Sequence, residues 1–400
     1  MNKKLMVVAV AGALAAPALA FAQANVQIYG RVNAGLDNYQ AGGATAAGTV
    51  PGTALDTGLN QSGRNRVYDF TSRIGFKGEE NLGGGLKAVF DIQSGFNADN
   101  GVSGAVVSPG QAGATNTSSG TIGSRTAHVG LQGSWGLLTF GRSNVWWGNG
   151  RNDQTGANYI SGNTVGHFSG TFGRGMSVGI TRQSNTMQYT TPTWSGFNGV
   201  VSYSPSNQEA AVPGANADGR LWGLTINGTV GSIHGGYDYV NNRGNNPAAG
   251  SATNVTGNKF RIGWAYQPGA QVSMLWIRTK HENDATVAGI DATATSLSQT
   301  AWGISWEHVF GNIQALAQYA KATNVSGCAA AVVCGNTNDT QYMIGARYLF
   351  SKRTAAYLTY GQTNNDSSYN QDYLGGSYTS GTAGLGADPR VWAIGVLHNF

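Results

Sequence analysis

The 400-residue sequence predicts an all-β chain: a closed, antiparallel barrel of sixteen strands that crosses a membrane. Three observations lead there. The chain carries 61 glycines beside only 11% charged residues, apolar and polar residues alternate with period two along most of it, and its connections alternate between short and long. Average usage is about 7% Gly and about 25% charged, so glycine is doubled and charge more than halved. Gly is the costliest non-Pro residue in a helix interior, which excludes a Leu/Lys/Glu-rich helical protein. Aromatics at 10% and hydrophobics at 40% exceed what a solvated coil carries.

The first element is an export signal. Lys3 and Lys4 precede an apolar stretch from Leu5 to Leu19 and a small-x-small site at Ala20-Phe21-Ala22, so residues 1–22 read as a cleaved secretory peptide and 23–400 as one barrel domain. A membrane-spanning helix needs about 20 apolar residues, and this run is shorter. Removing two lysines and no acids takes the formal charge from +5 to +3, too weak a balance for a nucleic-acid partner.

Amphipathic strands follow. Val26, Ile28, Val32, Ala34 and Leu36 alternate with Gln27, Tyr29, Arg31, Asn33 and Asp37. The pattern returns with Phe70, Ile74 and Phe76 against Arg73 and Lys77, and with Leu86, Ala88, Phe90 and Ile92 against Lys87, Asp91 and Gln93. It continues with Phe260, Ile262, Trp264 and Tyr266 against Lys259 and Arg261, and with Trp302, Ile304 and Trp306 against Ser305 and Glu307. Each strand has one apolar face. Short connections such as 81–85, 133–136 and 311–312 alternate with long ones at 40–67, 97–123, 143–176, 204–218, 240–257, 281–297, 322–338 and 364–388. Counting strands between them gives sixteen, the even number of an up-and-down barrel with all long loops on one side.

Periodicity does not say which face points inward. A soluble sandwich buries its apolar face; an outer-membrane barrel turns it to lipid around a wet lumen. The low charge, the export signal and the last strand favour the second. In that strand Trp392, Ile394, Val396, His398 and Phe400 share a face. Trp392 and Phe400 lie about 20 Å apart along the membrane normal for a strand tilted about 40°, close to the roughly 25 Å apolar band between aromatic girdles.

Several segments carry a family resemblance. Ser72-Arg-Ile-Gly-Phe-Lys-Gly-Glu-Glu-Asn-Leu-Gly-Gly-Gly-Leu-Lys-Ala-Val-Phe90 resembles the second and third strands of Gram-negative general porins, especially those of β-proteobacteria. Thr126 to Arg142, Arg182 to Ser202, Asn25 to Arg31 and Val396 to Phe400 resemble further hairpins and the two ends. The resemblance implies a passive, water-filled channel and a homotrimer packed through the strands at the chain ends. It implies a third loop folded into the lumen opposite a ladder of basic wall residues, and Phe400 as the signal read by barrel-assembly machinery. Outer-membrane lipid and lipopolysaccharide would surround it, and small hydrophilic solutes and ions would cross it.

Matched residue by residue, Arg73 and Arg182 fall on ladder positions, with Lys77 four positions beyond Arg73. Arg125 and Arg142 match only if a bulge corrects their side, because their parity conflicts with neighbouring apolar residues. The inward loop is expected at 143–175, with Trp146, Trp147, Arg151, Asp153, Tyr159, His167 and Arg174. Its usual Pro-Glu-Phe-Gly-Gly motif is absent, and a wall position often acidic in relatives is Gln93, close to Asp91. The positive balance of the constriction predicts a modest anion preference. A porin specific for an oligosaccharide or organic anion, at which Tyr29 on the polar face hints, and a non-channel exported β-protein such as an adhesin are the alternatives.

No motif indicates an enzyme, a cofactor or a metal site. Gly175-Met-Ser-Val-Gly179 fits G-x-S-x-G, but that motif needs a strand-to-helix elbow and here a β-like stretch follows. His281-Glu282 lacks the second His of a zinc motif. Cys328 and Cys334, six residues apart in one loop, are expected as a disulfide in an oxidising compartment; two thiols alone are the weaker fit to a structural zinc.

Overall fold

The structure is a computed structural model that describes residues 25–45, 60–99, 122–145, 165–170, 172–178, 182–205, 220–246, 251–283, 285–373 and 384–400. The expected signal peptide lies outside them. The strands in chain order are β1 (Asn25–Gly42), β2 (Gln61–Asp69), β3 (Arg73–Gly83), β4 (Leu86–Gly95), β5 (Thr126–Gly133), β6 (Gly136–Asn144), β7 (Arg182–Thr190), β8 (Phe197–Ser204) and β9 (Arg220–Val230). They continue as β10 (Ile233–Asn246), β11 (Ser251–Gln267), β12 (Ala270–Glu282), β13 (Ser296–Phe310), β14 (Ile313–Ala322), β15 (Asp339–Leu349), β16 (Thr354–Asn365) and β17 (Asp388–Asn399).

From β3 onward each strand pairs antiparallel with the next, and β17 returns to β1 over Arg31↔Asn399 to Gly42↔Asp388, which closes the ring. β2 and β3 both pair with β1, above and below a break at 70–72, and so form one stave; the barrel has sixteen staves. At the break Thr71 adopts φ 64°, Phe70 N donates to Asn33 O, and the Asp69 carboxylate accepts from Ser72 N and Ala98 N. The break shifts the alternation by one residue. Tyr68 faces inward above it and Arg73 below it, and Phe70 is buried rather than sharing the outer face of Ile74 and Phe76 as simple alternation predicts.

The faces are inverted relative to a soluble protein. Ile28, Phe260 and Ile394 are about half exposed on the outside (58%, 51% and 49%), whereas Asn33, Asp238 and Lys259 are fully buried within. Tyr237, next to Asp238 in the chain, lies on the outer face with its ring centre 4.6 Å from that of Phe260. Lipid outside and water inside satisfy this arrangement.

Two loops differ from expectation. The span 240–257 is mostly strand, since β10 and β11 stay paired as far as Asn246↔Ser251. The span 40–67 is shortened from both ends, so that Arg64 and Arg66 belong to β2. At the start of β1, Gly30 N donates to Phe400 O and Phe400 N to Gly30 O (3.0 and 3.1 Å), with the Phe400 ring over Gly30, where a Cβ would have no room. The main buried cluster sits inside the barrel near the long-loop end, where the third loop meets β12 to β15.

Candidate functional site

The third loop enters the lumen and is fastened to one wall. Its described residues, 165–170 and 172–178, form two short 3-10 turns, Gly166–Ser169 and Gly173–Gly175. Phe168, Phe172, Met176 and Val178 pack into the cluster that contains Leu297, Ala301, Ala320 and Met343. The Phe168 ring lies against β13 at Gly303, where a Cβ would collide with it. Polar contacts then fix the register: Gly166 N donates to Gln341 Oε1 (2.9 Å), and His167 Nε2 lies 2.9 Å from both carboxylate oxygens of Asp339, with both side chains buried.

Arg174 is a clamp between loops. It is 4% exposed; its guanidinium donates to Ser368 O and Gly289 O, and its backbone N donates to Asn370 Oδ1. Its charge is therefore spent on carbonyls and does not project from the loop tip. The eighth loop supports this contact through Tyr369, whose hydroxyl donates to Gln299 Oε1 and accepts from Gly173 N. Nearby, Asp372 accepts from Tyr39 Oη and Tyr373 N, and burial pushes its carboxyl up to about 6. Trp146, Trp147, Arg151, Asp153 and Tyr159 lie outside the described residues.

A basic wall stands on β1 to β5. Arg66 grips Asp37 with two hydrogen bonds (2.9 and 3.0 Å) and lies over the Tyr68 ring. Below the break, Arg73 is directly opposite Arg31 in the β1–β3 register. Arg125 reaches Gln93 Oε1 (2.9 Å) from the irregular turn before β5, which brings it to the lumen side against strand parity. Gln93 donates to Tyr29 Oη, Tyr29 Oη donates to Asp91 Oδ1, and the Lys77 ammonium rests 5.3 Å from the Tyr29 ring centre.

Arg142 and Arg182 stand apart from this group. Arg142 pairs with Ala127, shares its side with exposed Phe140, and donates to Ser124 O and Ser184 Oγ. Between β6 and β7 the register slips, so that Gln183 faces Ser143 and Arg182 faces Asn144. Ser143 is buried and hydrogen-bonded to His128, so the slip gives the inward position to Gln183 and changes the phase that would carry Arg182 inward from Thr186. Three wall arginines, Arg31, Arg64 and Arg66, are not among the sequence-predicted site residues. Arg31 is visible in the β1 alternation, while Arg64 and Arg66 fall in a span whose composition resembles loop.

On the far wall, Asp238 holds both Arg261 Nε (2.7 Å) and Lys259 Nζ (3.3 Å). Ser177 of the G-x-S-x-G match accepts from Phe172 N and donates to Phe172 O, inside the third loop and away from any strand-to-helix elbow. Cys328 and Cys334 are bonded to each other, their Cα atoms 5.8 Å apart.

A Gram-negative porin family model matches residues 7–368. The chain belongs to the Gram-negative porin family. It is 27% identical over 363 residues to the major outer membrane protein P.IB of Neisseria gonorrhoeae, covering 85% of this chain and 88% of that one. The anion-selective porin from Comamonas acidovorans superposes with TM-score 0.71 at 20% identity, covering 94% of this chain and all of the other. The trimer form of OmpT, an outer membrane protein of Vibrio cholerae, superposes with TM-score 0.57 at 14% identity over 94% of this chain and 99% of that one. The molecule is thus a porin of the bacterial outer membrane, a passive diffusion channel with short periplasmic turns and long extracellular loops. Family and fold are those of a channel rather than of an enzyme.

Proposed function

We propose that this porin passes ions and small hydrophilic solutes with a modest preference for anions, without a chemical step. The observation that carries this reading is the charge of the β1–β5 wall, where Arg31, Arg64, Arg66, Arg73, Lys77, Lys87 and Arg125 outnumber the carboxylates Asp37, Asp69, Glu79 and Asp91. Fixed charge of one sign in a narrow waist enriches counter-ions there and sets selectivity. The Comamonas neighbour, named as anion-selective, supports the same sign. The exposed aliphatic faces of β1, β16 and β17, with Ile28, Val32, Leu36, Leu358, Ile394 and Val396, suit contact with further copies in a homotrimer, as in the trimer form of the Vibrio protein. Lipid and lipopolysaccharide would cover the remaining outer surface, and Phe400 would serve the assembly machinery. The zero-current potential of purified porin in a planar bilayer under a KCl gradient tests the main claim. The expected sign is that of chloride permeating faster than potassium; the opposite sign overturns it.

A further inference from the structure

Below the arginines, toward the periplasmic mouth, the same wall opens into a recess of about 630 Å³. Its size falls in the range of small-molecule sites, which combine an apolar surface with a few convergent polar groups. Val89 and Leu137 supply the apolar floor. Gly130, opposite Val89 in the β4–β5 register, adds no side chain between the inward positions of His128 and Gln132. Lys77, Asp91 and His128 line its side nearer the arginines, with His128 directly opposite Asp91 in the β4–β5 register.

The charges on that side have an unusual arrangement. Lys77 and Asp91 are directly opposite in the β3–β4 register, where opposite charges normally attract each other across the strands. Tyr29 comes between them. Its hydroxyl donates to Asp91 Oδ1 (2.5 Å), while the Lys77 ammonium rests over its ring at 5.3 Å from the centre. The ring can lie along the wall because its register partner is Gly75, where a Cβ would strike it. A positive and a negative group are therefore held one ring apart, beside an apolar floor. Glu79, the other carboxylate at the recess, is engaged by Lys87 Nζ at 2.8 Å.

We propose that this recess binds zwitterionic aliphatic α-amino acids, the carboxylate at Lys77, the ammonium at Asp91 and the side chain over Val89 and Leu137. The inference rests on the reading of the lumen as a path open to solutes. A plain anion finds more cations among the arginines above, and a plain amine meets Asp91 and a Glu79 already paired with Lys87; the pairing of both signs with an apolar floor is what favours the amino acid.

Saturation-transfer NMR of the detergent-solubilised porin with L-leucine at low salt tests this, with glycine, 4-methylpentanoate and 3-methylbutylamine as comparisons. Leucine binding should saturate, and each comparison compound, lacking the side chain, the ammonium or the carboxylate, should bind at least about tenfold more weakly, the usual loss for one well-placed contact. Lys77→Met and Asp91→Asn should each weaken leucine binding by about tenfold, with far-UV circular dichroism verifying the fold. The proposal is overturned if 4-methylpentanoate, 3-methylbutylamine or glycine binds as well as leucine, or if leucine shows no saturation. Conductance steps in a planar bilayer are recorded on the same preparation: their absence would sink the channel reading, whereas steps without leucine binding sink the recess alone.

Discussion

Arg31 and Arg73 are directly opposed across β1 and β3, a like-charge juxtaposition that weakens a sheet in isolation. Their retention on the inner wall places local repulsion where a permeating anion relieves it. Asp372 is the complementary case, an acid enclosed by the eighth loop beside Tyr39 and Tyr373. Its ordinary value near 3.8 is raised to about 6 by burial. The neutral form is favoured in the docked loop, so the contribution to docking is complete below about pH 4 and is lost as pH rises through about 6, a change of about 3 kcal/mol. Hydrogen exchange across 366–373, corrected for intrinsic rates, should show less protection at pH 7.5 than at pH 4.5; equal protection would contradict this. Residues such as Arg73 and Lys77 are legible in the sequence because strand alternation fixes their side. Arg174 is not, because its role depends on carbonyls of two other loops that no local pattern encodes.

The third loop is held as an element by a small number of buried contacts. The His167–Asp339 hydrogen bond is the most demanding of them, since removing one partner leaves a buried polar group unsatisfied, at a cost of about 1–3 kcal/mol. Asp339→Ala should therefore free residues 165–178, seen as larger open-channel current noise and faster proteolysis in that segment. The disulfide is a contrasting element. Its two cysteines are six residues apart, so closing the loop destabilises the unfolded chain by about 2 kcal/mol, less than a long loop would. Reduction should lower the barrel's melting temperature by no more than about 5 °C. The strands themselves are readable from period two, with the clearest misreadings at strand ends. The β6–β7 slip changes the side of Arg182, and the polar extensions of β10 and β11 resemble loop because beyond the lipid band neither face needs to be apolar.

At the scale of the whole molecule, stability depends on an outer surface that tolerates no charge at its middle. Ile262 on β11 is exposed on the outer face, away from the β1, β16 and β17 face assigned to the trimer, so Ile262→Arg should destabilise the folded barrel by about 2–4 kcal/mol, measured by denaturant unfolding in liposomes. Barrel class and strand number are legible from composition, alternation and loop spacing together. Ring closure shows only in pairing, where Gly30 meets Phe400 across nearly the full length of the chain. The break at 70–72 has a genetic consequence. Because every residue of β3 takes its side from the count of residues across that break, deleting Thr71 would act on the strand as a frameshift acts on a gene: each codon downstream would still be read correctly, yet Arg73 and Lys77 would be carried toward lipid and Ile74 and Phe76 toward water until a turn restored the phase.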